Sequence, residues 1–579
     1  MKQLNFLIVG AGSRGTAYAR AITTSTPARI SAIAEPEPYK RRAFGEAYIW
    51  GSESPRTGQE FEGWEEWIEY ETRRREVADS AGNNEGIGTE GGVDGLLICT
   101  LDETHIKILT SLSKSNLLDL HVLCEKPLAL SLSDCLSIYA ARAKSPAARN
   151  SIFSIGHVLR YSPHNLLLRR LVREEKVIGD IVSIEHTEPV GYWHFAHSYV
   201  RGNWRRETQK GDGSLLTKSC HDIDFLVWLV EGDVVRPSSG NVAATGDTTA
   251  NGSGNSNGTY IEEEERTLKL RTIHSTGYLT QFRPDQKPKA AGSATNCTSC
   301  AIERDCIYSA IRIYRDNQLR KGETGWPVNI VCPDIEDYLP DKFRLSSSKN
   351  KDNDEVEVAA AETHLLKSLT QNYTPTTPDE EIRQRPWYGR CVYESDNDVV
   401  DDQLVSLSWD VIPPPSSSSS SHPSTTTTQP PHFRNKSKPP GITASFHMTS
   451  PTKSQCIRRG TIYGTLGEIT YTSSSITIHS FTTSQTTIID IPAPPPNEAE
   501  SHGGGDYGLA CGFVGAVEAV KHKGWDVERA QREFVGCSVE EVVRSHAVVF
   551  AAEESRRGER VVRWEGWWGD KLREVGLGE

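Results

Sequence analysis

The chain has few basic residues and no long apolar runs, and each shortage excludes a class of protein. Lys and Arg number 64 against 77 Asp and Glu, a net charge of −13 over 579 residues. Such an acidic chain is a poor candidate for a nucleic-acid binder, because affinity for phosphate backbones comes from clustered basic side chains. No apolar run approaches the roughly 20 residues that span a bilayer. We therefore expect no nucleic-acid partner and no membrane partner.

Signals for disulfides and for export are also lacking. The 12 cysteines are scattered over a long chain, which argues against the disulfide framework of a small secreted protein. The first residues enter an apolar strand directly and show neither the apolar core nor the cleavage site of a signal peptide. We expect a soluble, intracellular protein of the cytoplasm.

Apolar residues are scarce for a protein of this length. They make up 36% of the chain, below the usual share for a compact globular protein, while the length exceeds that of one ordinary domain. We expect two domains, residues 1–155 and 156–579. Tracts rich in Gly, Asn, Ser, Thr and Pro predict disordered insertions near 238–262 and 412–440. Strand patterns on both sides of the second tract indicate a long hairpin loop rather than a domain linker.

Apolar runs and helical patterns alternate in the first 155 residues, as in a parallel sheet covered on both faces. After residue 156 the strands alternate in polarity and few helices lie between them, which favours an antiparallel sheet. The predicted fold is α/β, with an N-terminal Rossmann domain (a doubly wound parallel sheet) and a C-terminal α+β domain with a large, mostly antiparallel open sheet. The predicted strands are 4–9, 30–34, 96–100, 121–124, 178–190, 267–282, 404–410, 441–449 and 458–472.

A glycine-rich turn follows the first predicted strand and matches the dinucleotide-binding pattern G-x-G-x-x-G. The first glycine permits the tight turn, the second lets a pyrophosphate approach the backbone, and the third lets helix and strand pack closely. The alternative is a strand–helix turn that holds no ligand. The turn contributes five predicted cofactor-binding residues: Gly10, Gly12, Ser13, Arg14 and Gly15.

An acidic residue, Glu35, ends the second predicted strand. A carboxylate there accepts hydrogen bonds from the ribose hydroxyls and repels a 2′-phosphate, so we predict NAD as the cofactor. NADP stays possible, because Lys40, Arg41 and Arg42 lie close by in the sequence.

Polar residues follow the third and fourth predicted strands, at the edge where ligands bind in an open parallel sheet. Thr100, Asp102 and His105 follow the third strand, and Glu125 and Lys126 end the fourth. We predict that all five contact the cofactor. The alternatives are a surface lysine for Lys126 and a helix-terminal residue for His105.

These motifs together resemble one family. The glycine loop, the segment Ile-Cys-Thr-x-Asp-x-x-His at 98–105 and Glu-Lys-Pro at 125–127, in this order and spacing, are similar to those of the glucose–fructose oxidoreductase/inositol dehydrogenase/MocA family. The resemblance implies NAD- or NADP-dependent oxidation or reduction of sugars, cyclitols or related hydroxy compounds. It also implies a catalytic or substrate-orienting role for Lys126, and a homo-oligomer formed through the open sheet.

Residues 211–229 resemble the family's second signature, a glycine-rich turn that opens a helix with a histidine. His221 matches the histidine, but Thr217 stands four residues before it, where the family has an acid. Lys218, three residues before His221, shares its helical face. We predict three catalytic residues: His221 as general base, Lys126 stabilising the alkoxide, and Lys218 adding positive charge. Because Thr217 cannot act as a carboxylate, a non-catalytic NAD(P)-binding regulator is an alternative, and an NAD-dependent glycosidase of the same fold is another.

Further polar residues fit a substrate with many hydroxyl groups. Residues 501–506 could close one edge of the site or form a flexible loop with a helix cap. The predicted substrate contacts are Arg160, Tyr161, Trp204, Arg205 and Asp224.

Three thiols lie within ten residues, at Cys297, Cys300 and Cys306. They could bind zinc if Cys332 or Cys391 completed a tetrahedral site. No second C-x-x-C pair or histidine completes the pattern nearby, so we predict unbound thiols or a local disulfide, and no metal. This cluster, with residues 326–330 and 388–393, lies outside the family's general motifs.

Overall fold

The computed structural model describes residues 3–80, 92–208, 212–231, 267–339, 358–412, 440–491 and 502–577. Within these ranges the chain forms a six-stranded sheet and a nine-stranded sheet. No helix in the described ranges is both long enough and apolar enough to cross a membrane.

The first sheet is parallel throughout, with strand order β3-β2-β1-β4-β5-β6, which is the doubly wound Rossmann arrangement. Its central strands are buried on both faces because their side chains are almost all apolar. The six strands are β1 Asn5–Val9, β2 Arg29–Ala34, β3 Glu60–Phe61, β4 Gly95–Ile98, β5 His121–Cys124 and β6 Phe153–Ile155.

Helices connect these strands on both faces of the first sheet. Residues 72–92 are charged and then rich in Gly and Asn, which predicts a surface insertion. Residues 72–80 continue the third helix, and residues 81–91 lie outside the described ranges. The helices are α1 Ser13–Ser25, α2 Pro38–Tyr48, α3 Trp64–Ser80, α4 Asp102–Lys114, α5 Leu132–Lys144 and α6 Pro146–Arg149.

The second sheet has the order β14-β13-β12-β11-β7-β10-β9-β8-β15, and all its pairs are antiparallel except β10 with β7. The predicted fold class is therefore confirmed. The strands are β7 Ile181–Pro189, β8 Thr267–Tyr278, β9 Asp402–Ile412, β10 Gly441–Thr449, β11 Arg459–Gly464, β12 Gly467–Tyr471, β13 Ser475–Ser480, β14 Thr486–Asp490 and β15 Val562–Arg563.

More helices accompany the second sheet than the sequence predicts. The helix Ser214–Glu231 is buried over residues 214–230. The helices of this half are α7 Pro163–Arg169, α8 Tyr192–Phe195, α9 Ser214–Glu231, α10 Val328–Val331, α11 Ala359–Leu369, α12 Asp379–Arg383, α13 Gly505–Lys523, α14 Val527–Ala530, α15 Val539–Gly558 and α16 Trp564–Glu574.

Helix α13 returns from the C-terminal part of the chain and packs on the first sheet. Leu509, Phe513 and Val517 are fully buried in the same core as β1, and the Phe6 and Phe513 rings lie 5.6 Å apart. The core of the first domain thus takes in residues beyond position 155. The domain boundary predicted at residue 155 stays a prediction, and the core of the first domain does not end at that residue.

The first predicted insertion lies outside the described residues, which omit 232–266, and so does the second apart from its end residues 412 and 440, since 413–439 are omitted. The strands that flank the second one, β9 and β10, are antiparallel neighbours in which Asp410 pairs with Gly441. The intervening tract therefore connects two strands of one hairpin, as the sequence predicts.

Candidate functional site

The glycine loop between β1 and α1 has a backbone that only glycine permits at two positions. Gly10 has φ +100°, and a Cβ added there would lie 2.6 Å from the carbonyl oxygen of Cys99. A Cβ on Gly15 would lie 2.1 Å from the carbonyl oxygen of Gly10. A Cβ on Gly12, by contrast, would meet no atom within 4 Å. The loop is thus tight against the protein and open on the side where a pyrophosphate would approach.

The N-terminus of α1 is arranged to receive an anion. Gly12 is the N-cap and Ser13 the first helical residue. No side chain caps the helix, and no acidic residue lies in its first turn. The backbone N–H groups and the helix dipole therefore favour a phosphate group at this end.

Glu35 lies beside the glycine loop at the end of β2. Its carboxylate accepts hydrogen bonds from the N–H of Ala11 at 2.7 Å and of Glu37 at 3.0 Å. Arg41 donates to the carbonyl oxygen of Glu35 at 2.6 Å and pairs with Glu60 at 3.6 Å. The guanidinium of Arg41 is therefore engaged by other acceptors, and the acidic end of β2 fits the ribose of NAD.

The segment after β4 links the two halves of the molecule. Asp102 begins α4 and accepts a hydrogen bond from Nε1 of Trp204 at 2.9 Å. Burial raises the pKa of Asp102 to about 6, against the opposing effects of His105 and Lys126. Asp102 and Trp204 also line one cavity with Thr217 of α9. Thr100 accepts a hydrogen bond from the Thr104 hydroxyl at 2.5 Å.

His105 is fully buried behind this segment instead of facing the cavity. Its Nδ1 lies 2.8 Å from the carbonyl oxygen of Pro127, and its Nε2 lies 3.2 Å from that of Thr100. Burial disfavours the imidazolium, but Cys124, Asp102 and the Pro127 carbonyl outweigh it and raise the pKa of His105 to about 10. Two carbonyl acceptors suit a doubly protonated ring. His105 thus ties the turn after β5 to the end of β4.

The side chains of Glu125 and Lys126, in the turn after β5, point in different directions. Glu125 is buried and accepts hydrogen bonds from the hydroxyl of Tyr18 and from the N–H of Lys126. Lys126 extends across to α9, where its Nζ donates to the carbonyl oxygen of Thr217 at 2.7 Å. Because Thr217 is one helical turn before His221, this contact brings the two main predicted catalytic residues to one place.

His221 has one engaged nitrogen and one without a partner. Its Nε2 faces the carboxylate of Asp222 at 3.2 Å and the guanidinium of Arg458. Its Nδ1 is buried and has no hydrogen-bond partner among the described residues. Burial, with Arg458 and Lys126, lowers the pKa of His221 well below 6.5, although Asp222 opposes the shift. The ring is therefore neutral near pH 7.

The charges around His221 belong to a buried network that the sequence did not predict. Arg458 contacts Asp222 and lies 3.2 Å from Glu188. Asp222 also lies 3.0 Å from Nε2 of His186, whose Nδ1 contacts the Tyr471 hydroxyl at 2.7 Å. Burial would raise the pKa of Asp222, but Arg458 and His221 lower it well below its usual value. Asp222 is therefore an anion beside His221.

The sequence predicts that Lys218 adds positive charge to the site. In the structure, that charge is compensated. Its Nζ lies 3.3 Å from the buried carboxylate of Glu188 and donates to Sγ of Cys456 at 3.0 Å. Burial alone would lower the pKa of Lys218, but Cys456 and Glu188 raise it above its ordinary value. The ammonium is thus balanced by a carboxylate.

The segment before α13 lies against the glycine loop. Arg14 forms an ion pair with Asp506 and lies 3.3 Å from Nδ1 of His502. The rings of His502 and His221 have centroids 6.2 Å apart. His502, Gly503 and Gly504 all have left-handed φ values, which give a sharp turn into the helix. Residues 501–506 were predicted either to close one edge of the site or to form a flexible loop. The described residues 502–506 lie at the edge of the site.

Two predicted substrate contacts pair with each other. Arg160 donates to both carboxylate oxygens of Asp224 at 2.7 Å, and the Ser545 hydroxyl donates to the same carboxylate at 2.6 Å. Both residues are buried where the segment after β6 packs between α9 and α15. They form an internal ion pair, so their prediction as substrate ligands is not supported by their position.

Tyr161 and Arg205 are also directed away from the site, whereas Trp204 lines its cavity. The Tyr161 hydroxyl donates to the carbonyl oxygen of Val535 at 2.7 Å. Arg205 is buried and binds Asp396 at 2.7 Å and the carbonyl oxygen of Gly202 at 3.1 Å. These two side chains anchor loops.

The cysteine cluster shows no metal arrangement. Cys297, Cys300, Cys306 and Cys391 are free thiols that line one apolar pocket, and Cys332 bonds instead to the Ser368 hydroxyl. Within the described ranges, no three His, Cys, Asp or Glu side chains are placed to hold a metal ion.

The fold and the site together define a two-domain protein with a dinucleotide-binding sheet and a polar cleft beside it. Residues 4–150 match a family model described as an oxidoreductase family with an NAD-binding Rossmann fold, GFO_IDH_MocA. Residues 170–253 match the model of that family's C-terminal alpha/beta domain. Over these two segments the chain is similar to the glucose–fructose oxidoreductase/inositol dehydrogenase/MocA family, the family that the motifs of the sequence resemble.

Relatives of known name match about a quarter of the chain. The 2,7-anhydro-N-acetylneuraminate hydratase of Escherichia coli (strain K12) is 28% identical over 157 residues, 27% of this chain and 38% of the relative. Inositol 2-dehydrogenase 1 of Saccharopolyspora erythraea is 26% identical over 147 residues, 25% of this chain and 38% of the relative. The matches thus span less than half the length of these relatives.

One solved structure aligns with nearly the whole chain. A structure of levoglucosan dehydrogenase with NADH and levoglucosan has a TM-score of 0.50 at 13% identity, covering 97% of this chain and 99% of that one. This likeness supports the two-domain architecture.

Proposed function

We propose that the protein is an NAD-dependent oxidoreductase that acts on a secondary hydroxyl of a sugar or cyclitol. The observation that carries the proposal is the hydrogen bond from Lys126 Nζ to the Thr217 carbonyl oxygen at 2.7 Å. It brings a lysine from the Rossmann sheet within one helical turn of a buried, neutral histidine of the second domain. A base and a cation beside a dinucleotide loop are what alcohol oxidation requires.

The residues present fit NAD. Gly10 and Gly15 hold the loop close to the protein, Gly12 leaves the start of α1 open, and Glu35 accepts a hydrogen bond from the loop N–H of Ala11. A carboxylate in this position favours the ribose of NAD over the 2′-phosphate of NADP. When bound, the nicotinamide supplies the hydride acceptor.

His221 is the proposed general base. The proposed reaction uses the ring tautomer that carries its proton on Nε2, directed at Asp222, so that the lone pair of Nδ1 can accept the proton of a substrate hydroxyl. In this tautomer Nε2 accepts no hydrogen bond from Arg458, whose guanidinium binds the nearby carboxylates instead. The lowered pKa keeps the ring neutral, and so able to accept a proton, at pH 7. Asp222 then stabilises the positive charge that the ring acquires.

Lys126 is the proposed partner of the substrate oxygen. Its ammonium group has three N–H donors, one of which binds the Thr217 carbonyl oxygen. A second donor directed at the reacting oxygen would stabilise the charge that develops as the hydroxyl proton leaves. Thr217 itself does not take part in proton transfer, since its hydroxyl bonds to the Gly213 carbonyl oxygen at 3.2 Å.

The activities of two similar proteins support the proposed substrate class. One relative is an inositol 2-dehydrogenase and one neighbour a levoglucosan dehydrogenase, so a cyclitol or a sugar is the first choice. A homo-oligomer formed through the open sheet stays a prediction.

An absorbance screen tests the proposal. NAD or NADP is mixed with aldoses, inositols and sugar acids, and the reduced-nicotinamide band is followed. We expect turnover with one ring compound, higher kcat/KM with NAD than with NADP, and a kcat loss of roughly 10²- to 10⁴-fold in His221→Ala and in Lys126→Ala. His157→Ala, another buried histidine of the junction, serves as the control for mere loss of a core imidazole.

One observation favours a second candidate, a non-catalytic NAD-binding regulator: Thr217 stands where the resembling family has an acid. Cofactor binding by calorimetry, without reduction of NAD by any compound of the screen, would support this candidate and would contradict the first.

A further inference from the structure

The long connection between β8 and β9 builds a small core of its own. Its described parts, 279–339 and 358–401, bury a cluster that includes Tyr314, Leu365 and Tyr388. The same connection contains residues 326–330 and 388–393, which do not belong to the general motifs of the family that the sequence resembles. Trp326 is an aromatic side chain at the surface of this connection.

Trp326 is 37% exposed and belongs to a group of aromatic rings. Its ring centroid lies 5.2 Å from that of Trp193, 4.9 Å from that of His194 and 5.4 Å from that of His197. A tryptophan that is packed on one side and exposed on the other offers a flat apolar surface in a fixed orientation.

Buried contacts hold this surface in place. His197 stacks on Tyr388 with ring centroids 5.1 Å apart, and its Nδ1 lies 2.9 Å from the Tyr314 hydroxyl. The rings of Tyr314 and Tyr388 lie 6.0 Å apart. The surface under Trp326 is therefore rigid before any ligand arrives, which lowers the entropic cost of binding.

A continuous line of contacts joins this surface to the proposed catalytic histidine. Nδ1 of His194, which packs against Trp326, lies 3.4 Å from Sγ of Cys456. Cys456 accepts a hydrogen bond from Lys218 at 3.0 Å, and Lys218 is one helical turn before His221. The aromatic surface is thus linked by direct contacts to the helix that carries His221.

We propose that Trp326, supported by Trp193, is a stacking platform for the apolar face of a carbohydrate ring in the substrate pocket. This inference rests on the proposed function and narrows its substrate class to ring-shaped compounds, pyranosides or cyclitols, as opposed to open-chain polyols. A pyranose or inositol ring presents several C–H groups on one face, and burial of that face against an aromatic ring is favourable. An open-chain polyol has no such face.

Binding measured without turnover tests the platform. Isothermal titration of the protein saturated with NADH uses methyl β-D-glucopyranoside and myo-inositol as ring probes and ribitol as the open-chain probe. We expect Trp326→Ala to weaken the ring probes about tenfold and to leave ribitol unchanged, while Trp326→Phe stays within about threefold of the wild type.

Tyr338→Ala is the matched control, because Tyr338 is an exposed aromatic of the same connection that stacks on His364 instead. It should bind every probe like the wild type, and all variants should bind NADH equally. Equal affinity of Trp326→Ala and wild type for the ring probes, equal weakening of ring and open-chain probes, or no binding of ring probes by the wild type overturns the inference.

The two proposals fail separately. If Trp326→Ala loses ring binding but the absorbance screen detects no reduction of NAD, the platform stands and the proposed reaction fails. If the screen succeeds and Trp326→Ala turns over the ring substrate with unchanged KM, the reaction stands and the platform fails.

Discussion

His221 has an acidic neighbour, although the acid expected one turn earlier is absent. The Thr217 hydroxyl donates to the carbonyl oxygen of Gly213. Asp222, the residue directly after His221, lies 3.2 Å from Nε2 of His221. Asp222 thus occupies the side of the ring away from Nδ1. The departure from the family's pattern at Thr217 therefore does not leave His221 without a carboxylate.

Arg458 should set the acid limit of activity. Because its guanidinium lowers the pKa of His221, Arg458→Gln should raise that pKa and move the acid limb of the kcat/KM profile to higher pH. Arg458→Lys keeps the charge and should leave the limb near its wild-type position. The pH profiles of the three proteins give the comparison, and an acid limb of Arg458→Gln that stays in place or moves to lower pH would contradict this assignment.

Asp102 should make stability depend on pH. Its pKa of about 6 exceeds the ordinary 3.8, so the folded protein prefers the protonated form and loses stability as the pH rises between these values. Asp102→Asn keeps an acceptor for Trp204 without the charge. Relative to this variant, the wild type should lose roughly 2–3 kcal/mol of unfolding free energy between pH 4 and pH 6.5 in urea titrations. Parallel curves for the two proteins would show that Asp102 is not perturbed.

Short-range motifs predicted part of the site. The glycine loop, Lys126 and His221 each lie in a local pattern whose chemistry can be read without knowledge of the fold. Arg458 and Glu188 do not. They meet because β11 pairs with β7 in a register that sets Arg459 opposite Thr187. No local pattern specifies that register.

At the scale of elements, the strands with a continuous apolar run or a clear apolar–polar alternation were predicted well, and the very short or exposed ones were not. The predicted runs 121–124 and 441–449 coincide with β5 and β10. The two-residue strands β3 and β15 leave no detectable periodicity, and β14 is largely exposed. Helix α15 is buried on several sides, so it lacks the one-sided apolar pattern that reveals a surface helix.

The start of α13 should be a point of vulnerability. Asp506 is buried beside Arg14, and although burial would raise the pKa of this carboxyl, Arg14 and His502 hold it below its usual range. Asp506→Ala leaves the partly exposed guanidinium without its carboxylate and should cost about 1.5–3 kcal/mol of unfolding free energy. Urea unfolding measures this loss, with Asp526→Ala as control for an exposed helix-capping aspartate, which should cost about 1 kcal/mol. A loss no larger than that of the control would show that this ion pair does not hold α13 on the glycine loop.

At the scale of the whole molecule, two contacts bring the Rossmann sheet and the second domain to one cleft. Lys126 reaches Thr217, and Trp204 reaches Asp102, each across the junction. Helix α13 adds a third connection, since it packs on the first sheet although it follows β14 of the second sheet in the chain. The cofactor loop and the proposed base are thus held in one structure, as hydride and proton removal from the same substrate group require.

Transfer of hydrogen from the substrate carbon to the nicotinamide tests this account most directly. The ring compound identified in the screen, deuterated at its carbinol carbons, is incubated with NAD and the wild type or His221→Ala, and the nicotinamide is analysed by mass spectrometry. The account predicts one deuterium in the reduced nicotinamide formed by the wild type and roughly 10²-fold or slower formation by His221→Ala. Reduced nicotinamide without deuterium, or equal rates for the two proteins, would contradict it.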